Sequence, residues 1–264
     1  MLYLPIPRPR RTNMKTLRAL ALKIGYDVRS TKRSHLTLQQ HLPKVLKSHK
    51  ISTVIDVGAN VGQFAMNLRA GGFTGRIKSF EPIPFHAQKV AAHFAEDKNH
   101  EMYHCALGAT PGTLELNVFK GSDLSSFLQP SIPSQKYFGS NVELMEKIRV
   151  PVCRLDQVEG VAQAGDKILL KMDTQGYDLK VFEGATKLIP SVEAILVECS
   201  AIALYEDAPN FVETLSVFVA AGFVPSGFFP ICRDEASLAL VEFDCVLVRR
   251  STAANQDKLR LLPG

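Results

Sequence analysis

The chain has 264 residues, of which 46% are apolar and 22% charged, with a formal net charge of +5. These values fit one large domain with a real core, and exclude a disordered, fibrous or collagen-like chain. No run approaches the ~18 consecutive apolar residues of a membrane span.

The opening segment MLYLPIPRPRRTNMK places its apolar residues before its basic ones and is broken by prolines, unlike a secretory leader, so the protein is read as cytoplasmic. Charge is uneven. Residues 1–50 hold twelve Lys/Arg and one acid, which is +11, and the remainder carries −6. A basic arm, 1–50, therefore precedes a mildly acidic domain, 51–250, followed by a loose tail, 251–264. Cys105, Cys153, Cys199, Cys232 and Cys245 show neither a CxxC pair nor zinc spacing and read as reduced thiols.

Within the arm, Leu17, Leu20, Ala21 and Ile24 recur at helical spacing. A second helix is predicted at about 35–48 on Leu38, Leu42, Val45 and Leu46, with Pro43 placed to kink or split it. From residue 51 short apolar runs alternate with helical stretches. Strands are predicted at Ile51–Val57, Arg76–Glu81, Met102–Leu107, Lys167–Asp173 and Val192–Glu198. Helices are predicted at Gln63–Ala70, Phe85–Glu96, Leu179–Leu188 and Asn210–Ala221. Buried strands alternating with helices imply a doubly wound α/β fold with a mostly parallel sheet. Gly112–Phe119 and Ile148–Leu155 read as extra strands around a long loop, 120–147, rich in Ser, Pro and Gly and expected to act as a lid. Gly222–Phe229 and Phe243–Arg249 read as a closing antiparallel pair, completing seven strands.

The segment from Thr53 to Phe64, TVIDVGANVGQF, carries the chemistry. A strand ends in Asp56, and a turn with Gly58, Ala59, Asn60 and Gly62 leads into a helix. Glycines permit a tight turn and close approach of backbone to ligand, and a helix N-terminus offers free N–H groups. A dinucleotide site requires GxGxxG around a pyrophosphate. Here Asn60 replaces the second glycine, and Asp56 would repel a pyrophosphate but suits the ammonium of a methionine moiety, directly or through water. Glu81, followed by Pro82, ends the next strand 19 residues beyond Gly62, where an acid accepts hydrogen bonds from ribose hydroxyls. Together these features point to S-adenosylmethionine.

These segments resemble the FkbM family of S-adenosylmethionine-dependent methyltransferases, from about Val54 to Leu247. The match continues through Ala106-Leu107-Gly108 with Gly112, Ser125-Ser126, Val150-Pro151-Val152 with Leu155-Asp156, and most distinctively through Leu170 to Asp178, LKMDTQGYD, followed by Gly184-Ala185 and Glu198. The resemblance implies a class I, Rossmann-like seven-stranded fold with a helical N-terminal extension. It implies methyl transfer, most often to a hydroxyl of a sugar, glycolipid or polyketide-type product, leaving S-adenosylhomocysteine. Asp56, Gly58, Ala59, Asn60, Gly62, Glu81, Pro82, Ala106, Leu107, Ser125 and Asp173 are the expected cofactor-binding residues.

For the acceptor, Asp173 and Glu198 are the acids left at strand carboxyl ends. Asp173 is expected either to take the hydroxyl proton, with Glu198 as alternate, or to bind the cofactor's amino group beside a structural Glu198. Lys171 shares a strand face with Asp173 and is expected to pair with it or to steer an anionic acceptor. Gln175 and Ser126 are expected to touch the acceptor. Mg²⁺ bound by Asp173 and Glu198 is conceivable but not expected, since no acidic cluster adjoins them. His86, His93, His100 and His104 read as surface residues, with His104 close to the adenine as the alternative.

The arm suits an anionic membrane surface, which would make the protein peripheral at the inner membrane; equally it suits a solvated helix pair or an oligomer contact. Two rivals stand beside the enzyme reading. One is a nucleic-acid methyltransferase recruited through phosphate contacts by the basic arm, which favours it, but opposed by the lack of an Asn/Asp-Pro-Pro-Tyr/Phe motif and of a Pro-Cys. The other is a non-catalytic cofactor-binding protein.

Overall fold

The computed structural model describes residues 36–250, together with Lys23. The expected helix around Leu17–Ile24, the tail of residues 1–13 and the tail of residues 251–264 lie outside the described residues.

The first described helix, α1 (Leu38–Ser48), turns Leu42, Val45 and Leu46 into the core. They pack with Ile51, Val54, Ala65 and Leu68. The helix runs on through Pro43, which sits on the exposed side. The last part of the basic arm is thus built into the domain.

Seven strands form the main sheet: β1 (Thr53–Val57), β2 (Arg76–Phe80), β3 (His100–Tyr103), β7 (Ile168–Met172), β8 (Val192–Ser200), β9 (Phe223–Arg233) and β10 (Leu240–Arg249). Their order is β3-β2-β1-β7-β8-β10-β9. The first five are mutually parallel, and β10 runs antiparallel to both β8 and β9. Successive residues alternate between two apolar clusters, as a period of two requires. Ile55, Leu170 and Ile195 enter one cluster; Val54, Leu169 and Ala194 enter the other. Helices α2 (Gln63–Ala70), α3 (Pro84–His93), α5 (Asp178–Glu183) and α6 (Phe211–Ala220) supply the covering layers. The sheet grows in opposite directions from β1, toward β2 on one side and β7 on the other. Such a reversal opens a crevice at the carboxyl ends of the strands.

Two expectations need correction. The single strand predicted at Met102–Leu107 is two. Tyr103 ends β3, and β4 (Ala106–Leu107) belongs to a separate small sheet, ordered β4-β6-β5, with β5 (Gly112–Phe119) and β6 (Leu144–Cys153). A tight turn, in which Cys105 N–H donates to the Tyr103 carbonyl, redirects the chain between them. The second correction concerns the 120–147 loop. It contains a 3₁₀ turn at Ser122–Leu124, helix α4 (Ile132–Phe138), a further turn at Gly139–Val142 and the first residues of β6. Leu144 and Met145 are exposed, so this end of the strand lacks the in/out alternation by which strands are recognised.

Candidate active site

The turn after β1 is held from two sides. Gly58 and Ala59 donate their N–H groups to the Phe80 carbonyl at the end of β2. Gly58 has φ of +74°, and a Cβ there would lie 2.0 Å from the Asp173 carbonyl oxygen. Only glycine lets the β1 turn close against the end of β7. Asn60 also adopts the left-handed region, and Gly62 begins α2.

Asp56 does not reach the crevice. It is wholly buried, and its charge is met by Lys171, whose Nζ lies 3.0 Å from Asp56 Oδ1 as an ion pair outside hydrogen-bond geometry. Burial pushes the Asp56 carboxyl up, and Lys171 only partly reverses this. The expected contact of Asp56 with a methionine ammonium is therefore replaced by a contact with a lysine of the same sheet. Lys171 also donates to the Gly58 carbonyl at 2.8 Å and lies 3.5 Å from Asp173 Oδ2. Burial alone would lower its pKa, but the Asp56 and Asp173 carboxylates override this and raise it. An ammonium so surrounded serves pairing rather than steering of an anionic acceptor.

Glu81 is buried at the end of β2, and its two oxygens accept separate backbone donors. Asn60 N–H donates to Oε2 at 2.8 Å and Ile83 N–H to Oε1 at 2.9 Å. Each carboxylate oxygen keeps a further lone pair. Glu81 lines the crevice at the carboxyl ends of the strands. Of the expected cofactor residues, Gly58, Asn60, Glu81, Pro82, Ala106, Leu107, Ser125 and Asp173 line it too, whereas Asp56, Ala59 and Gly62 support it from behind. Ile83, Leu116, Phe127 and Tyr177 add apolar wall that the sequence did not single out. Ser125 Oγ accepts from the Phe119 N–H, which ties it to β5.

Two residues expected to touch the acceptor are occupied. Ser126 Oγ donates to the Gln175 carbonyl at 2.8 Å and accepts from Leu128 N–H, pinning the 122–128 segment to the end of β7. Gln175, at φ of +53°, donates from Nε2 to Asp173 Oδ1 at 3.0 Å and to Glu198 Oε1 at 2.9 Å. Its Oε1 lies 2.9 Å from the Tyr205 hydroxyl, whose one hydrogen it shares with the Leu124 carbonyl at 2.8 Å. The amide is thus a strut between two acids. The Asp173 side chain remains 36% exposed, and Glu198 stands half-buried behind it. Thr174 and Asp178 close the turn: the Asp178 carboxylate accepts from the Thr174 N–H and hydroxyl.

Three groups near this strut escaped the sequence reading: Tyr205, Glu242 and Asp244. The last two had a legible signal, since VEFDCVLV places two acids two residues apart on one face of an apolar strand. Tyr205 had none. Of the histidines, His86 and His100 differ from expectation, whereas His93 and His104 are exposed as expected. His86 is buried 3.8 Å from Glu81 Oε1, and burial holds His100 down at about 4. His104 is exposed and donates to the Pro82 carbonyl. Among the described residues no group of three or more His, Cys, Asp or Glu side chains is arranged to hold a metal ion.

A seven-stranded sheet with its last strand antiparallel and a crevice at the β1 switch point defines a class I, Rossmann-like methyltransferase fold. Residues 56–225 match the model of the methyltransferase FkbM domain, so the chain belongs to the FkbM family of S-adenosylmethionine-dependent methyltransferases. It is 26% identical over 232 residues to methyltransferase sdnD of Sordaria araneosa, covering 75% of this chain and 81% of that protein. Among solved structures it is similar to methyltransferase FkbM from Methylobacillus flagellatus KT, with 14% identity and a TM-score of 0.47. That match covers 75% of this chain and 43% of the other, so the chain spans less than half of that protein's length. It is also similar to the 1,6-didemethyltoxoflavin-N1-methyltransferase of Burkholderia thailandensis, solved with S-adenosylhomocysteine, with 10% identity, a TM-score of 0.43, and 95% and 94% of the two chains covered.

Proposed function

We propose that the protein transfers a methyl group from S-adenosylmethionine to a hydroxyl oxygen of a sugar, glycolipid or polyketide-type acceptor, with Asp173 receiving the hydroxyl proton. The observation that carries this is the placement of Asp173. Its backbone abuts the cofactor turn at Gly58, while its carboxylate is held by Gln175 and faces the crevice.

The crevice residues fit the cofactor. Glu81 keeps acceptor capacity for ribose hydroxyls, and Ala106, Leu107, Ile83 and Phe127 offer apolar walls for a purine. When bound, S-adenosylmethionine supplies a methyl group on a good leaving group, and S-adenosylhomocysteine remains. The chain's share is alignment and proton removal. A neutral hydroxyl is a poor nucleophile. Asp173 accepts its proton as the new carbon–oxygen bond forms, and Lys171 and Gln175 hold the carboxylate in place.

Asp173→Asn tests the assignment. With methyl-labelled S-adenosylmethionine and extracts of glycans, glycolipids and small metabolites, turnover is expected to fall about 100-fold or more, with cofactor affinity nearly unchanged. Wild-type turnover would sink the base role. A large loss of cofactor affinity would assign Asp173 to the cofactor's amino group instead.

For the arm, the +11 charge of residues 1–50 supports contact with an anionic membrane surface at the cytoplasmic face. Co-sedimentation with phosphatidylserine vesicles is expected to weaken sharply as salt is raised, and binding that ignores lipid charge removes the idea.

A further inference from the structure

The carboxyl ends of β7 and β8 and the amino end of the antiparallel β10 bring acids side by side. Met172 is in register with Val197, so Asp173, the next residue, stands beside Glu198. Glu198 is in register with Asp244, and Glu242 with Ser200. Among the described residues the cation in this row is Lys171, already facing Asp56. Glu242 is 5% exposed, its Oε1 has no partner, and by register it sits on the same sheet face as Glu198, two residues along from Asp244. Two carboxyl groups so placed can bond only if one is protonated.

We propose that Glu198 and Glu242 share one proton, and that Glu242 is thereby a positioning residue for methyl transfer. Glu198 donates its O–H to Glu242 and accepts from Gln175 Nε2 on its other oxygen. Gln175 in turn holds Asp173. Two ionised carboxylates would repel, release the strut and leave Asp173 free to turn. Burial is the main cause that pushes Glu198 well above the carboxylate range and Glu242 up to about 7. The groups facing the pair are Asp173 and Lys171 of β7, Asp244 of β10, Asp123 of the 122–124 turn and Tyr205 after β8. The positioning role rests on the reading of Asp173 as base; the shared proton does not.

Infrared titration of the full chain labelled with ¹³C-glutamate tests the proton without an acceptor, and the label excludes Asp244 and Asp178. The wild type is expected to keep one protonated glutamate C=O band above pH 8, roughly a unit beyond the Glu242 value. Glu198→Gln is expected to lose that band, and Glu242→Gln to lose the component that titrates near pH 7. In the labelled-methyl assay Glu242→Gln is expected to keep its cofactor affinity, lose roughly tenfold in turnover, and lose the rate change near neutral pH. Spectra of both variants superimposable on the wild type would overturn the shared proton. Wild-type turnover and pH profile in Glu242→Gln would overturn the positioning role. Should Glu242→Gln fail to fold, Glu198→Gln carries both readouts. Undiminished turnover in Asp173→Asn would defeat the base assignment and leave the infrared result standing.

Discussion

At the scale of single residues, Lys171 and Asp56 are the pair on which the site's framework depends. Both are buried, and their charges are compensated chiefly by each other. Removing one partner of a buried ion pair leaves an uncompensated charge, which costs about 3–5 kcal/mol. Lys171→Met is therefore expected to lower stability by that order, and Lys171→Met with Asp56→Asn to recover a large part of it. Chemical denaturation of the three proteins measures this, and additive losses would refute the pairing. This relation was only half legible. The LKMD spacing put Lys171 and Asp173 on one strand face, so their proximity followed from period two. Asp56 lies on the neighbouring strand, in register with Lys171, and register is a tertiary property. For the same reason Asp56 was read as a ligand contact: from sequence, an acid before a glycine turn looks free to face the crevice.

At the scale of elements, agreement was closest where the pattern was strongest. Gln63–Ala70 and Gly112–Phe119 have the expected bounds. Agreement failed where an element has no buried face, as at the start of β6, or where the chain changes sheets within a single apolar run, as between β3 and β4. The lid expectation changes most. Its Ser-rich stretch read as a lid with Ser126 facing the acceptor, yet Ser126 is 1% exposed and its hydroxyl ties it to Gln175. Losing a buried hydrogen bond costs about 1–3 kcal/mol when the partner is left unpaired. Ser126→Ala is thus expected to speed amide exchange across residues 122–128 by tenfold or more and to weaken cofactor binding. Hydrogen exchange with mass spectrometry reads the first effect, and protection equal to the wild type would show that the segment is held by other means.

For the whole molecule, the acidic character of the domain acquires a location. Burial, the largest cause in each case, raises Glu242 to about 7 and Asp178 and Asp244 to about 6. Groups that hold protons more tightly when folded contribute stability at low pH that is lost as pH rises through their folded values. His100, held at about 4, and His41, lowered chiefly by burial, work in the opposite sense, but they are two groups against three. Acids with lowered values, such as Asp97 and Asp156, act mainly below this range. Stability is therefore expected to decline between about pH 5 and pH 7, by up to ~1.4 kcal/mol per pH unit for each whole proton released. Thermal melts across that range should show the decline, with a shallower one in Glu242→Gln; a rise in melting temperature toward neutrality would contradict it.

Position 175 reduces the amino-acid alphabet to one letter. Its surroundings present two acceptors, Asp173 and Glu198, and one donor, Tyr205. Glutamate there would be a further carboxylate among acids, and lysine has no acceptor for the tyrosine. Asparagine suits the left-handed backbone better but is one methylene short. A saturation library at this codon, sorted for methyl transfer, should return glutamine alone.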